Sequence, residues 1–160
     1  MAAPPPQALL LKLAQGTIRL NLHGDVAPAT VDHVVALARS GVLASAGRFY
    51  RSDFVIQCGL HGSGVAAPCP PLAVNESTRA GAKSNLRGSA AIAHFDKPDN
   101  GNTEFFISLK DNTHLDSAYG GYCVFGSVAA ADAASWATCD AVAAAVLRKE
   151  TPRILAVDLA

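Results

Sequence analysis

The sequence predicts a mainly β domain, a closed eight-stranded antiparallel barrel capped by two α-helices. Three observations predict this class. Short aliphatic or alternating runs recur along the chain, glycine- and proline-rich stretches separate them, and two longer segments carry helical spacing. The strands also follow one another mostly without an intervening helix, which favours antiparallel pairing.

The amino-terminal part of the chain contains a predicted hairpin, a helix and a further strand. Ala8–Leu13 and Thr17–Leu22 are aliphatic runs separated by a glycine turn, a spacing typical of a hairpin. Pro28 begins a helical pattern and Gly41 follows its end, in keeping with the asymmetry of helix start and stop signals. Phe49–Gln57 alternates in hydrophobicity and is predicted as one strand.

The rest of the chain begins with a long loop. Residues 59–87 hold much of the glycine, proline and polar content, and loops of this length in compact domains are usually functional or mobile. The elements expected after it are strands Ser89–His94, Glu104–Leu109 and Tyr122–Val128, a helix at Ser135–Leu147 with Trp136 and Cys139 on its inner face, and a last strand at Arg153–Leu159.

Length, charge and hydropathy narrow the class of protein. A chain of 160 residues suits one domain, expected over residues 8–160, while the Ala/Pro-rich residues 1–7 are expected to be disordered. Lys+Arg and Asp+Glu are 13 each, which argues against nucleic acid or an anionic membrane surface as the main partner. No apolar run approaches the roughly 18 residues of a membrane span. The expected compartment is the cytoplasm, or an organelle lumen after removal of a targeting segment.

The cysteines and histidines carry no metal-site spacing. The four cysteines form no Cys-x-x-Cys pair and are expected to be buried free thiols; a redox-switchable pair, such as Cys58 with Cys123, is the alternative. The five histidines share no ligand spacing, and there is no glycine-rich phosphate loop. We therefore expect neither a metal nor a cofactor.

Arg51 is a permanent cation between aromatic and aliphatic residues. Arginine keeps its proton in apolar surroundings, and its planar guanidinium donates several hydrogen bonds. One interpretation is a hydrophobic pocket with a donor at its rim. The other is a strand whose arginine extends its charged end to water.

Several ordered motifs carry a resemblance to a known family. Phe49-Tyr50-Arg51 followed by Phe54-Val55-Ile56-Gln57 resembles the Phe-His-Arg…Phe-Met-x-Gln signature of the cyclophilins, which are peptidyl-prolyl cis/trans isomerases. The resemblance extends from about Gly16 to Leu159. Its further motifs are Gly88-Ser89-Ala90-Ala91-Ile92-Ala93, Asn102-Thr103-Glu104-Phe105-Phe106-Ile107, His114-Leu115-Asp116 and Tyr122-Cys123-Val124-Phe125-Gly126.

The resemblance implies a set of site residues. Arg51 corresponds to the catalytic arginine and Gln57 to the amide that helps to hold the substrate and the arginine. Ala93, with His94 beside it, corresponds to the strand that lines the neighbouring groove. The residues that correspond to the proline pocket are Phe54, Val55, Phe106 and Leu115, and His114 and Tyr122 stand where the family often has a tryptophan and a histidine. Without the resemblance, Phe106 and Leu115 would be read as core residues and Tyr122 as a strand residue.

The implied reaction is the isomerisation of X-Pro bonds, which would assist the folding of protein clients. Its partners are proline-containing peptides and proteins. The reaction needs no nucleophile, metal or cofactor, because a guanidinium can stabilise the twisted amide directly.

The sequence also departs from the family pattern. Only Ser52 and Asp53 separate Arg51 from Phe54, two residues fewer than is common, and Asp53 brings a carboxylate near the cation. Glu104 stands in place of the usual glutamine. If Glu104 faces the arginine, an ion pair would either orient the guanidinium or occupy the donors that a substrate needs.

Two smaller departures concern the pocket itself. Val55 in place of methionine shortens one pocket wall. His114 in place of tryptophan removes an indole N–H, so we expect weak cyclosporin binding.

Two functions therefore stay open at this point. The first is an active prolyl isomerase. The second is a module that binds proline segments in the same groove with little turnover, because the arginine geometry is altered; thiol regulation could act on either.

Overall fold

The computed structural model describes residues 3–95 and 97–160. Residues 1 and 2 of the predicted disordered segment lie outside the described residues. Within the described part of the chain there are eight strands and three α-helices. The strands are β1 (Ala8–Leu13), β2 (Gly16–Leu22), β3 (Arg48–Ser52), β4 (Val55–Gly59), β5 (Ser89–Ile92), β6 (Phe105–Ser108), β7 (Val124–Ser127) and β8 (Ala156–Leu159), and the helices are α1 (Pro28–Ser40), α2 (Val42–Ala46) and α3 (Ala133–Leu147).

The eight strands form a single antiparallel sheet in the order β3-β4-β6-β5-β7-β2-β1-β8. The sheet curls into a half-barrel, which confirms the mainly β, eight-stranded antiparallel prediction. Edge strands β3 and β8 approach each other through the residues that precede β8. Arg48 and Arg153 form an isolated bridge, and the Phe49 N–H donates to the Pro152 carbonyl at 2.9 Å. The two edges of the half-barrel are therefore joined by a bridge between segments and not by a full strand pair.

The main core fills the concave side of the sheet, between the strands and the two long helices. On α1 the spacing of Val31, Val34 and Leu37 places these buried residues toward the sheet. The helix starts with Pro28 at its first turn, and Gly41 ends it with φ 81°, a conformation that glycine adopts without strain. Both predicted helices are confirmed; α2 is a five-residue addition that periodicity cannot detect in so short a segment.

The prediction of one strand over Phe49–Gln57 is wrong. The chain turns at Asp53 and Phe54, so that β3 and β4 form a hairpin with a bulge between Phe49 and Arg51. The Asp53 carboxylate accepts the Val55 N–H at 3.1 Å and holds the turn. Alternation alone missed it because no glycine or proline marks the turn. As a consequence, Arg51 lies directly opposite Gln57 across the hairpin.

The long loop between β4 and β5 is fastened near its middle by a buried carboxylate. Glu76 is 2% exposed and accepts the Thr30 N–H at 2.7 Å and the Thr30 hydroxyl at 2.8 Å, at the start of α1. Arg79 forms an ion pair with the same carboxylate. Burial alone would raise the pKa of Glu76, but these hydrogen bonds outweigh it and hold the pKa below its ordinary value.

Candidate active site

A cavity of about 660 Å³ opens on the face of the sheet away from the main core. Its floor belongs to a second apolar cluster that contains Val55, Phe106 and Leu115, all buried. The alternation of β6 produces this arrangement, because Phe105 and Ile107 enter the main core while Phe106 points the other way. Nine residues predicted for the site line this cavity: Arg51, Phe54, Val55, Gln57, Ala93, Phe106, His114, Leu115 and Tyr122.

Arg51 lies at the rim of the cavity, with 42% of its side chain exposed. Its Nε donates to Asp53 Oδ2 at 2.9 Å, and its Nη1 donates to Gln57 Oε1 at 3.2 Å. The guanidinium also lies 5.2 Å from the centre of the Phe54 ring. Nη2 donates to no residue that the structure describes. The guanidinium is thus held on two sides and keeps donor capacity beside the apolar floor.

Glu104 does not contact Arg51. Its Oε1 accepts the Tyr50 hydroxyl at 2.9 Å, and its carboxylate also accepts the backbone N–H groups of Leu60 and His61 at 3.1 and 3.0 Å. The Thr103 hydroxyl donates to it as well. The condition for an ion pair between Glu104 and Arg51 is therefore not met, because the backbone amides after β4 draw the carboxylate away from the cavity.

Tyr50 connects Glu104 to the site. Its hydroxyl accepts the Gln57 Nε2–H at 3.0 Å while donating to Glu104. Burial, with the nearby Glu104 charge, raises the pKa of Tyr50 far above its ordinary value, so the phenol stays protonated. Sequence reasoning missed Tyr50 as a site residue, and the signal that the sequence offers is a phenol directly before the arginine.

The position of His94 differs from the prediction. Its side chain is fully buried and does not line the cavity; Nε2 donates to the Gly121 carbonyl at 2.8 Å. The imidazole stacks on Tyr122 with ring centroids 4.2 Å apart. The expectation of groove contact by His94 is thus corrected: in the segment that follows β5, Ala93 faces the cavity, while the next side chain, His94, lies behind Tyr122.

Sequence reasoning also missed two exposed aromatic residues at the cavity mouth. Phe95 is 75% exposed and Tyr119 is 64% exposed, and both have positive φ, at 56° and 50°. They line the cavity together with Ala118. Isolated aromatics in polar, turn-rich segments are the signal that the sequence offers, but it does not tell which loops meet at the same opening.

The cysteines are free thiols, as predicted. Cys58, Cys123 and Cys139 are buried and Cys69 is half-buried. Burial raises the pKa of Cys58 and of Cys123, which disfavours the reactive thiolate at both positions.

Neither a metal cluster nor a membrane-spanning helix occurs within residues 3–95 and 97–160. No group of three or more His, Cys, Asp or Glu side chains in these ranges is arranged to hold a metal ion. No helix in this part of the chain has the length and apolar character needed to cross a membrane.

The fold has close counterparts among solved structures. A cyclophilin type peptidyl-prolyl cis-trans isomerase from Cryptosporidium parvum superposes with a TM-score of 0.76 at 18% identity, over 97% of this chain and 98% of that one. The structure of that protein in the presence of the dipeptide Ala-Pro gives a TM-score of 0.75 at 19% identity, over 96% and 99%. These similarities show a cyclophilin fold.

The sequence comparisons identify the family. The family described as cyclophilin type peptidyl-prolyl cis-trans isomerase/CLD matches residues 9–153. The chain is 30% identical over 136 residues to the peptidyl-prolyl cis-trans isomerase CYP23 of Arabidopsis thaliana, covering 78% of this chain and 56% of that protein. It is 31% identical over 134 residues to peptidyl-prolyl cis-trans isomerase A of Dickeya dadantii, covering 79% and 68%. The chain belongs to the cyclophilin-type peptidyl-prolyl cis-trans isomerase family, an enzyme family, and spans about half the length of the Arabidopsis relative.

Proposed function

We propose that this protein catalyses the cis/trans isomerisation of X-Pro bonds in peptides and protein clients, with Arg51 as the catalytic residue. One observation carries the proposal. Arg51 lies at the rim of an apolar cavity with an Nη2 group that no described residue engages. Rotation of a prolyl amide is favoured by a hydrogen-bond donor for the prolyl nitrogen and by an apolar surface for the proline ring, and this cavity has both.

The reaction is slow without a catalyst because amide resonance opposes rotation by about 18–20 kcal/mol. At the twisted transition state this resonance is lost, and the prolyl nitrogen gains an available lone pair. An Arg51 N–H donates to this lone pair much better than to the planar amide nitrogen. The hydrogen bond is therefore stronger in the transition state than in the ground state, which is the condition for catalysis.

The cavity floor accounts for the choice of proline. Val55, Phe106 and Leu115 form an apolar surface that a pyrrolidine ring can cover. Holding the ring while the preceding residue rotates would separate the two halves of the amide. Ring burial also excludes water near Arg51 and strengthens its hydrogen bond to the substrate. The study of the Cryptosporidium protein in the presence of Ala-Pro supports a proline-containing ligand for this chain.

The second candidate is a module that binds proline segments with little turnover. The ion pair between Arg51 and Asp53 favours it, because one guanidinium edge is already occupied. We favour the enzyme, since this pair uses only Nε and leaves the Nη2 edge to the substrate.

Exchange spectroscopy by NMR on a short Ala-Pro-containing peptide tests the proposal. Arg51→Ala should lower the isomerisation rate by about 10²–10³-fold, comparable to the loss of a donor to a developing charge. Peptide binding should be retained, because the apolar floor remains.

Arg148→Ala is the matched control. Arg148 is also an exposed arginine that pairs with a carboxylate two residues later, Glu150 at 3.1 Å. This variant should keep full activity. Peptide binding by the wild-type protein without acceleration of exchange would favour the binding module.

A further inference from the structure

We infer that Glu104 and Tyr50 are positioning residues that fix the direction of the Gln57 amide and thereby the orientation of Arg51. The inference rests on the proposed function, in which Arg51 acts on the substrate. Glu104, which stands in place of the usual glutamine, then acts on Arg51 indirectly, through the side chains of Tyr50 and Gln57.

Three hydrogen bonds connect the carboxylate to the guanidinium. The Tyr50 hydroxyl donates to Glu104 at 2.9 Å, Gln57 Nε2 donates to the hydroxyl at 3.0 Å, and Arg51 Nη1 donates to Gln57 Oε1 at 3.2 Å. Tyr50 and Arg51 belong to β3 and Gln57 to β4, while Glu104 directly precedes β6. The chain of bonds, called the relay below, therefore joins β3 and β4 to the residue that precedes β6.

A carboxylate at position 104 sets the direction of every bond in the relay. An ionised carboxylate only accepts hydrogen bonds, so the Tyr50 hydroxyl must use its proton there. The hydroxyl oxygen then accepts, and the Gln57 group that faces it has to be the NH₂. The Gln57 carbonyl oxygen consequently faces Arg51, which can only donate. A glutamine at 104 could also donate to Tyr50, so that the Tyr50 proton could turn to Gln57; the reversed Gln57 amide would then face Arg51 with its NH₂, and the bond between Gln57 and Arg51 would be lost.

The carboxylate itself is firmly held. Besides Tyr50, it accepts the N–H groups of Leu60 and His61 and the Thr103 hydroxyl. It also lies against Gly59, which has φ 150°, and a Cβ at that position would overlap the Glu104 carboxylate. These contacts fix the acceptor at the start of the relay, so the orientation can be transmitted to the cavity.

Tyr50→Phe removes the central hydroxyl while keeping the ring. We expect the isomerisation rate to fall about three- to tenfold, the range of one lost hydrogen bond, with peptide affinity changed less than twofold. Glu104→Gln should lower the rate in the same direction and by less. It also serves as the second test if Tyr50→Phe does not fold.

Thr138→Val is the control. It also removes one hydroxyl hydrogen bond, from Thr138 to the Ala134 carbonyl within α3, and has no contact with the relay or the carboxylate that begins it. Its rate should stay within twofold of the wild-type rate. An Arg51→Lys background gives a further check: lysine lacks the planar fork, so adding Tyr50→Phe there should produce little further loss of rate.

NMR of the side-chain N–H groups tests the relay without an activity assay. In Tyr50→Phe, the resonances of the Gln57 amide and of the Arg51 Nη groups should shift, while Thr138→Val leaves both unchanged. Unchanged Gln57 and Arg51 resonances in Tyr50→Phe would overturn the inference. The inference would also be overturned if Tyr50→Phe lowered peptide affinity and the isomerisation rate by the same factor and also lowered the stability of the protein. Absence of wild-type isomerase activity would refute the proposed function alone, since the resonances still report on the relay.

Discussion

Arg51 lies at the edge of an apolar surface that water still reaches. With side-chain exposures of 42% and 44%, the Arg51–Asp53 ion pair belongs to the class that contributes about 0–1 kcal/mol. Such a weak pair orients the guanidinium through Nε and leaves its other N–H groups able to donate. A bound proline would displace water and strengthen the remaining interactions of the arginine.

His114 lies where it should affect the affinity of the protein for cyclosporin. It lines the cavity and makes an edge contact with Phe54, with ring centroids 5.4 Å apart. In place of a tryptophan it offers less apolar area and no indole N–H. We expect cyclosporin to bind this protein weakly, with a Kd in the micromolar range or higher, as measured by isothermal titration calorimetry.

Substitution of His114 by tryptophan tests whether this residue causes the weak binding. His114→Trp should tighten cyclosporin binding at least tenfold. Nanomolar affinity of the wild-type protein would contradict the prediction, and no gain in His114→Trp would assign the weakness to another residue.

Two carboxylates hold the loops around the site through hydrogen bonds: the half-buried Asp116 and the buried Glu76. Asp116 accepts the Asn85 N–H at 2.7 Å and its side-chain amide at 2.8 Å, which ties the end of the long loop to the turn that carries Leu115. Burial would raise the pKa of Asp116, but hydrogen bonds from Ser84 and Asn85 outweigh it and lower the pKa. Together with Glu76, this carboxylate holds the loop against the barrel.

Glu76 gives a pH-dependent prediction for these elements. Its folded-state pKa lies below the ordinary value of 4.5, so its contribution to stability is complete above that pH and is lost as the pH falls through the folded pKa. Glu76→Gln should lower the free energy of unfolding at pH 7 by about 1–3 kcal/mol and weaken its decline at acidic pH. Urea denaturation at pH 7 and at pH 3–4 measures both effects.

The control for Glu76 is Glu150→Gln. Glu150 forms an exposed ion pair with Arg148 and should change stability by less than about 0.5 kcal/mol. Equal effects of the two substitutions would contradict the role given to the buried carboxylate.

At the scale of the whole molecule, the sheet separates two apolar clusters. The main core on the concave side supports the barrel, and the smaller cluster on the opposite face forms the cavity floor. Stability and substrate binding should therefore respond to different substitutions.

Ile154→Ala and Phe106→Ala test this separation. Ile154 is fully buried in the main core near the bridge between Arg48 and Arg153, so its truncation should lower stability by about 2–5 kcal/mol. Its activity per folded molecule should be unchanged at low temperature. Phe106→Ala should weaken peptide binding and slow isomerisation. Calorimetry and the exchange assay distinguish the two; a core variant with lost peptide binding would contradict the separation.

The sequence alone determined the class of fold, both long helices and most of the residues that line the cavity. Local periodicity reports which residues are apolar on one side, and the ordered motifs around Arg51, Phe106 and Leu115 predicted which of them meet. Only the tertiary structure decided the turn at Asp53, the withdrawal of His94 behind Tyr122 and the path from Glu104 through Tyr50. These depend on strand register and on hydrogen-bond direction between segments far apart in the chain, and side-chain identity along one segment does not contain that information.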